Sequence, residues 1–135
     1  MAETLLRVAG VSKTFGGLKA VSRVSLDVPE GSLTALIGPN GAGKTTLFAL
    51  MSGFIAADEG QIELAGQDIT GQAPHLNARL GMARTFQIVQ PFAAQTVREN
   101  IAVGAHLRHH QRADALAQAE AVAHRVGLGP QLDKP

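Results

Sequence analysis

The segment Gly38-Pro39-Asn40-Gly41-Ala42-Gly43-Lys44-Thr45 fits the pattern G-x-x-x-x-G-K-[ST], and it limits the possible folds more sharply than any other stretch of the chain. The pattern belongs to a bend between a buried strand and the first turn of a helix. Glycines at positions 38, 41 and 43 permit positive φ and keep Cβ atoms away from an approaching anion. A bend that opens a helix also presents unpaired N–H groups and the positive end of the helix dipole. Lys44 would reach the β- and γ-phosphates of a triphosphate as a point charge, and the Thr45 hydroxyl would be a ligand of Mg2+. The flanks agree. Leu33-Thr34-Ala35-Leu36-Ile37 is a nearly continuous apolar run between Gly31 and Gly38, the pattern of a strand buried on both faces of a parallel sheet. Leu47, Leu50, Met51 and Phe54 recur at spacings of three and four, which predicts a helix over Thr45–Phe54 with one buried stripe. The motif specifies a nucleoside triphosphate but neither the base nor the reaction, because GTPases, small-molecule kinases and transport ATPases share it.

The rest of the chain reads as short elements separated by turns. Leu5–Val11 and Val21–Val28 alternate apolar and polar residues, so both are expected as half-buried strands, with turns at Gly16-Gly17 and Pro29-Glu30-Gly31. Gln61–Leu64 is a short strand, Pro74–Leu80 a short helix with proline in its first turn, and Met82–Phe86 a further strand. Thr96-Val97-Arg98-Glu99 matches a capping box and starts a helix over Val97–Ala105. Ala115, Ala119, Val122 and Val126 mark a second helix over Gln111–Val126, stopped by Gly127, Gly129 and Pro130. The expected fold class is α/β: a mostly parallel core sheet carrying the phosphate loop, an antiparallel β-part, and a helical segment. The boundary is expected at Pro91, giving residues 1–90 and 91–135.

Composition excludes several alternatives. With 135 residues the chain makes one domain or a piece of one. It has no cysteine, which removes disulfide scaffolds, thiolate metal sites and a cysteine nucleophile. Lys+Arg 12 against Asp+Glu 11, with no basic run, argues against a nucleic-acid surface. No apolar stretch reaches the roughly 20 residues of a membrane span, and the start lacks the pattern of a signal peptide, so a cytoplasmic place is expected. His106, His109 and His110 are spaced to share a helix face, but Arg108 and Arg112 beside them favour a solvated basic face over a metal site.

Taken together, the residues around the loop resemble the ATP-binding subunit of an ABC transporter, from about Leu5 to the end of the chain. Ile37 to Leu47 is worded like that family's Walker A segment, Gly60-Gln61-Ile62 with Gly66-Gln67-Asp68-Ile69 like its β-hairpin, and Ala83-Arg84-Thr85-Phe86-Gln87 like its Q-loop. Thr96 to Ile101 is similar to the segment that opens its helical subdomain. Phe15-Gly16-Gly17-Leu18-Lys19-Ala20-Val21 and the Q-loop wording are most similar to ATPases of branched-chain amino-acid importers.

The resemblance implies an incomplete ABC ATPase domain with a P-loop core. It implies ATP and Mg2+ as ligands, with Gly38, Asn40, Gly41, Ala42, Gly43, Lys44, Thr45 and Thr46 at the phosphates. Phe15 would stack on adenine, with phenylalanine where the family usually has tyrosine. Lys44 and Gln87 are the implied catalytic residues, and Thr45 and Gln87 the implied Mg2+ ligands. The implied partners are transmembrane permease subunits, met through Gln87 to Thr96, and a second ATP-binding subunit. The implied place is peripheral, on the inner face of the cell membrane. The family's signature loop, Walker B strand, D-loop and switch histidine have no counterpart in these residues, and Asp114, Glu120 and Asp133 follow no apolar strand. Hydrolysis by this chain alone is therefore expected to be weak or absent. The open alternatives are a non-catalytic nucleotide-binding fragment and a small P-loop kinase or GTPase, although a guanine-reading Asn-Lys-x-Asp segment is missing.

Overall fold

Gly16 and Gly17 both sit at positive φ, 51° and 95°, and fold the chain into a hairpin of β1 (Thr4–Phe15) and β2 (Leu18–Pro29). A two-residue turn of this kind matches the twist of the strands on either side. Phe15 therefore pairs with Leu18 and Thr14 with Lys19 at the hairpin tip. The other edge of β1 pairs with β3 (Glu59–Leu64), which carries the short β4 (Gln67–Asp68). The strand order is β2-β1-β3-β4 and every pairing is antiparallel. The structure is a computed structural model that describes residues 3–39 and 41–135.

Burial along β2 follows the expected alternation: Val24, Leu26 and Val28 are half-buried, and Arg23, Ser25 and Asp27 are exposed. The first strand departs from it. Val8 and Val11 are both buried although three positions apart, because the register slips between them and Gly10 takes φ 61°. Such a bulge adds a residue and moves the apolar face out of phase. The sheet face supplies Val8, Val11, Val21, Ile62 and Leu64 to the core, and α1 (Lys44–Ser52) adds Leu47 and Leu50. Each such side chain, fully buried, stabilises by about 1.5–3 kcal/mol. Helix α1 ends at Gly53, φ 90°, and a buried amide ties it to α2 (Pro74–Arg79). There Asn77 donates to the Ser52 and Gln72 carbonyls at 3.1 and 3.2 Å and accepts from Gln72 at 2.9 Å.

The expected parallel core sheet is not formed. Leu33–Ile37 and Met82–Phe86 adopt no strand, and among the described residues no parallel ladder exists. Leu33 is 102% exposed and Ile37 91%. The apolar pattern reports how much burial a segment needs, but a strand exists only where another segment pairs with it. No described segment pairs with Leu33–Ile37, so the run lies open with its apolar surface bare. Exposed apolar surface and unpaired strand edges promote association. Changing Leu33 and Ile37 together to lysine is expected to leave thermal stability within about 0.5 kcal/mol, as for other surface substitutions. The same pair should reduce self-association in sedimentation velocity; unchanged association would show that the run is not the adhesive surface.

The chain divides into two units, one ending at Arg84 and the other spanning Thr85–Pro135. In the second, α3 (Val97–Ala105) starts where the capping box places it. The Glu99 N–H donates to Thr96 Oγ1 at 3.2 Å, and the same hydroxyl meets the Glu99 carboxylate at 3.1 Å. The two preceding N–H groups, of Val97 and Arg98, donate to the Lys134 and Leu132 carbonyls. Helix α4 (Arg112–Arg125) packs its buried Ala115 and Ala119 against Ala102. Arg98 bridges Glu120 at 3.0 Å and Asp133 at 3.5 Å. Ahead of α3, the Asn100 side chain holds the backbone of Phe92 from both sides, accepting its N–H at 2.8 Å and donating to its carbonyl at 3.1 Å. The Phe92 ring stays about half exposed, and Ile88 and Val89 are more exposed still.

Candidate nucleotide-binding site

The phosphate loop and the hairpin tip face each other because Gly43 lets them meet. At φ 92°, a Cβ on Gly43 would come within 2.4 Å of the Ala20 carbonyl oxygen, so only glycine permits this approach. Gly41 is needed for a different reason: its φ is 85°, but the space around it is open. A Cβ at Gly38 would press on Ala42 Cβ at 3.3 Å. The Ala42 N–H donates back to the Pro39 carbonyl at 3.2 Å, closing the bend.

The bend leads straight into α1. No side chain caps this helix, and its first ladder bond runs from the Leu47 N–H to the Gly43 carbonyl. The N–H groups of Lys44, Thr45 and Thr46 thus lie outside the helix ladder, as first-turn donors must. Lys44 opens the helix and its ammonium donates to the Gly38 carbonyl, folded over the loop. Gly41, Gly43, Lys44, Thr45 and Thr46 form one wall of a cleft of about 400 Å3. Phe15, Leu18, Lys19 and Ala20 form the other. The volume is in the range of small-ligand sites. Lys44, Thr45 and Thr46 bring first-turn N–H groups, an ammonium and hydroxyls to the cleft lining, and Phe15 brings an aromatic ring. That donor set fits a magnesium-bound polyphosphate carrying a flat apolar group.

Of the residues singled out in the sequence, the cleft gathers Phe15, Gly41, Gly43, Lys44, Thr45 and Thr46. Gly38 and Ala42 shape the bend, Gly38 also receiving the Lys44 ammonium. Asn40 lies outside the described residues. Gln87 is exposed in an irregular stretch of the second unit. Among the described residues no group of three His, Cys, Asp or Glu is arranged for a metal ion. No helix among them is long and apolar enough to cross a membrane.

Two contributors have no local signature. Lys13 lies over the Phe15 ring, 5.4 Å from its centroid, and Asp58 bridges Lys13 at 3.3 Å while accepting the Thr14 N–H at 2.8 Å. Asp58 is thus more than a turn acid. The Thr14 N–H chiefly holds its carboxyl below the ordinary value; slight burial opposes this and the Lys13 ammonium adds to it. Asp68 remains a turn acid, accepting from the Thr70 N–H and hydroxyl. Leu18, Lys19 and Ala20 were hidden until the hairpin register was known, although Gly16-Gly17 implied that they return opposite Phe15.

Comparison with known proteins identifies the family and the fold. Residues 21–135 match the ABC transporter family. A probable branched-chain amino acid transport ATP-binding protein of Archaeoglobus fulgidus is 50% identical over 99 residues, 73% of this chain and 38% of that protein. The high-affinity branched-chain amino acid transport ATP-binding protein BraF of Pseudomonas aeruginosa is 46% identical over 109 residues, 81% of this chain and 42% of that protein. A solved ATP-binding cassette of an ABC transporter in its ADP conformation superposes with a TM-score of 0.83 at 32% identity, covering 98% of this chain and 57% of the cassette. The chain thus spans less than half the length of the two curated relatives. With its P-loop, its antiparallel β-part and a family match over most of its length, the chain belongs to the ABC transporter family of ATP-binding proteins.

Proposed function

We propose that this chain binds Mg·ATP and serves as the energy-coupling ATP-binding part of an importer for branched-chain or other hydrophobic amino acids. The observation that carries the reading is the cleft itself, which sets the Phe15 ring opposite the Lys44–Thr45 helix start. The backbone of Gly38, Asn40, Gly41, Ala42, Gly43 and Thr46 would hold the phosphates. Lys44 would move from the Gly38 carbonyl onto the terminal phosphates, and Thr45 and Gln87 would supply oxygen ligands to Mg2+. Bound magnesium would neutralise charge developing on the phosphates. Phe15 would carry the adenine on its face. The exposed Ile88, Val89 and Phe92 suit an apolar contact with a permease subunit. In this reading the chain would sit on the inner face of the cell membrane beside a second ATP-binding subunit.

Turnover needs a carboxylate to position the attacking water, and among the described residues none lines the cleft. Glu120 and Asp133 are engaged by Arg98, and Asp114 sits in the first turn of α4. A fluorescent ATP analogue should therefore bind saturably and be displaced by Mg·ATP, while phosphate release stays near background. An analogue that Mg·ATP does not displace would overturn the nucleotide reading. Turnover comparable to that of a complete relative would overturn the inactivity.

A further inference from the structure

We infer that Lys13 is a positioning residue for the base-binding wall of the cleft, held in place by Asp58, and that it raises affinity for a nucleotide but not for a bare polyphosphate. The inference rests on the nucleotide reading above. Phe15 ends β1 beside two glycines and is 46% exposed, so the hairpin tip alone leaves its ring loosely held. Lys13 precedes it by two residues and shares its side of the strand. The Lys13 ammonium lies over the ring at 5.4 Å from the centroid, close enough for a cation–π attraction. Lys13 does not line the cleft, whereas Phe15 does. The cation thus attends the ring from outside the cleft lining.

The cation is itself anchored. Its side chain is only 20% exposed and meets Asp58 Oδ1 at 3.3 Å. The other carboxylate oxygen of Asp58 accepts the Thr14 N–H at 2.8 Å, and the Asp58 N–H donates to the Ser12 carbonyl at 2.9 Å. Asp58 immediately precedes β3, so the whole arrangement is fixed to the centre of the sheet. A long flexible lysine would lose much of a cation–π contact to rotamer freedom; this one is tethered at its tip before any ligand arrives. The phosphate loop stands on the opposite wall and shares none of these contacts.

The test compares Mg·ATP and Mg·tripolyphosphate binding to the unaltered chain, Lys13→Met, Lys13→Arg, Phe15→Ala and the Lys13→Met/Phe15→Ala double variant. Lys13→Met should weaken Mg·ATP by about two- to fivefold, the scale of an exposed cation–π contact, and leave tripolyphosphate unchanged. Lys13→Arg should restore ATP affinity, and in the Phe15→Ala background Lys13→Met should add nothing. Equal weakening of both ligands would mean a merely structural role and would overturn the inference. So would an unchanged ATP affinity, or the same loss with and without the Phe15 ring. If the unaltered chain bound neither ligand, the nucleotide reading itself would fail.

Discussion

Replacing Lys44 with alanine is expected to weaken Mg·ATP binding by about 10- to 150-fold, the span of a charge-assisted hydrogen bond worth roughly 1.5–3 kcal/mol. Among the described residues the ammonium is the only cation contributed by the loop wall of the cleft, and it is half-buried there. Backbone N–H groups supply partial charges in fixed directions; Lys44 supplies a full charge on a stem that can follow the terminal phosphates. Alanine suits the first position of α1 as well as lysine does, so the helix should persist. The loss should therefore appear in the ligand titration and not in the far-ultraviolet circular dichroism. Tripolyphosphate should lose as much affinity as ATP, the opposite of the expectation for Lys13→Met. Equal affinities for Mg·ATP in Lys44→Ala and the unaltered chain would defeat the phosphate-cradle reading.

Gly60→Ala is expected to unfold the β-part. Gly60 sits in β3 at φ 96°, and a Cβ there would meet the Gly10 carbonyl oxygen at 2.6 Å, Val11 Cα at 2.6 Å and the Ala9 carbonyl oxygen at 2.7 Å. All three are backbone atoms of β1, so no side chain can swing aside. The left-handed conformation adds about 1–2 kcal/mol for any residue with a Cβ, and forced overpacking typically another 1–3 kcal/mol. The sum is a large share of the roughly 5–15 kcal/mol that stabilises an ordinary domain. Gly66 is the control: its φ is 80°, but nothing lies within 4 Å of its added Cβ. Gly66→Ala should therefore cost only the conformational part, about 1–2 kcal/mol. Thermal melts of the two variants separate crowding from backbone conformation; equal losses would mean that β1 yields to the methyl group.

What could be read from the residues divides along a physical line. Features set by local chemistry were legible: the glycines, lysine and threonine of the phosphate loop, the Gly16-Gly17 turn, and the start of α3 at Val97 after Thr96. Each depends on φ preferences or on a bond spanning a few residues. Features set by a distant neighbour were not. Leu33–Ile37 has the composition of a buried strand, but composition cannot supply the strands that would flank it, and Met82–Phe86 failed in the same way. The slip between Val8 and Val11 is a response to pairing partners on both sides of β1, invisible to a period-two reading. The Lys13–Asp58 pair joins residues 45 positions apart, and nothing near either one announces the other. Asp58 read alone was an acid in a turn.

The Asn100 side chain holds Phe92 through the main-chain atoms of residue 92 alone. Residue 92 can therefore be exchanged for another side chain without releasing the segment that displays it. The fastening and the displayed group are thus separate: a change of side chain at residue 92 should alter the exposed surface while the loop ahead of α3 keeps its course.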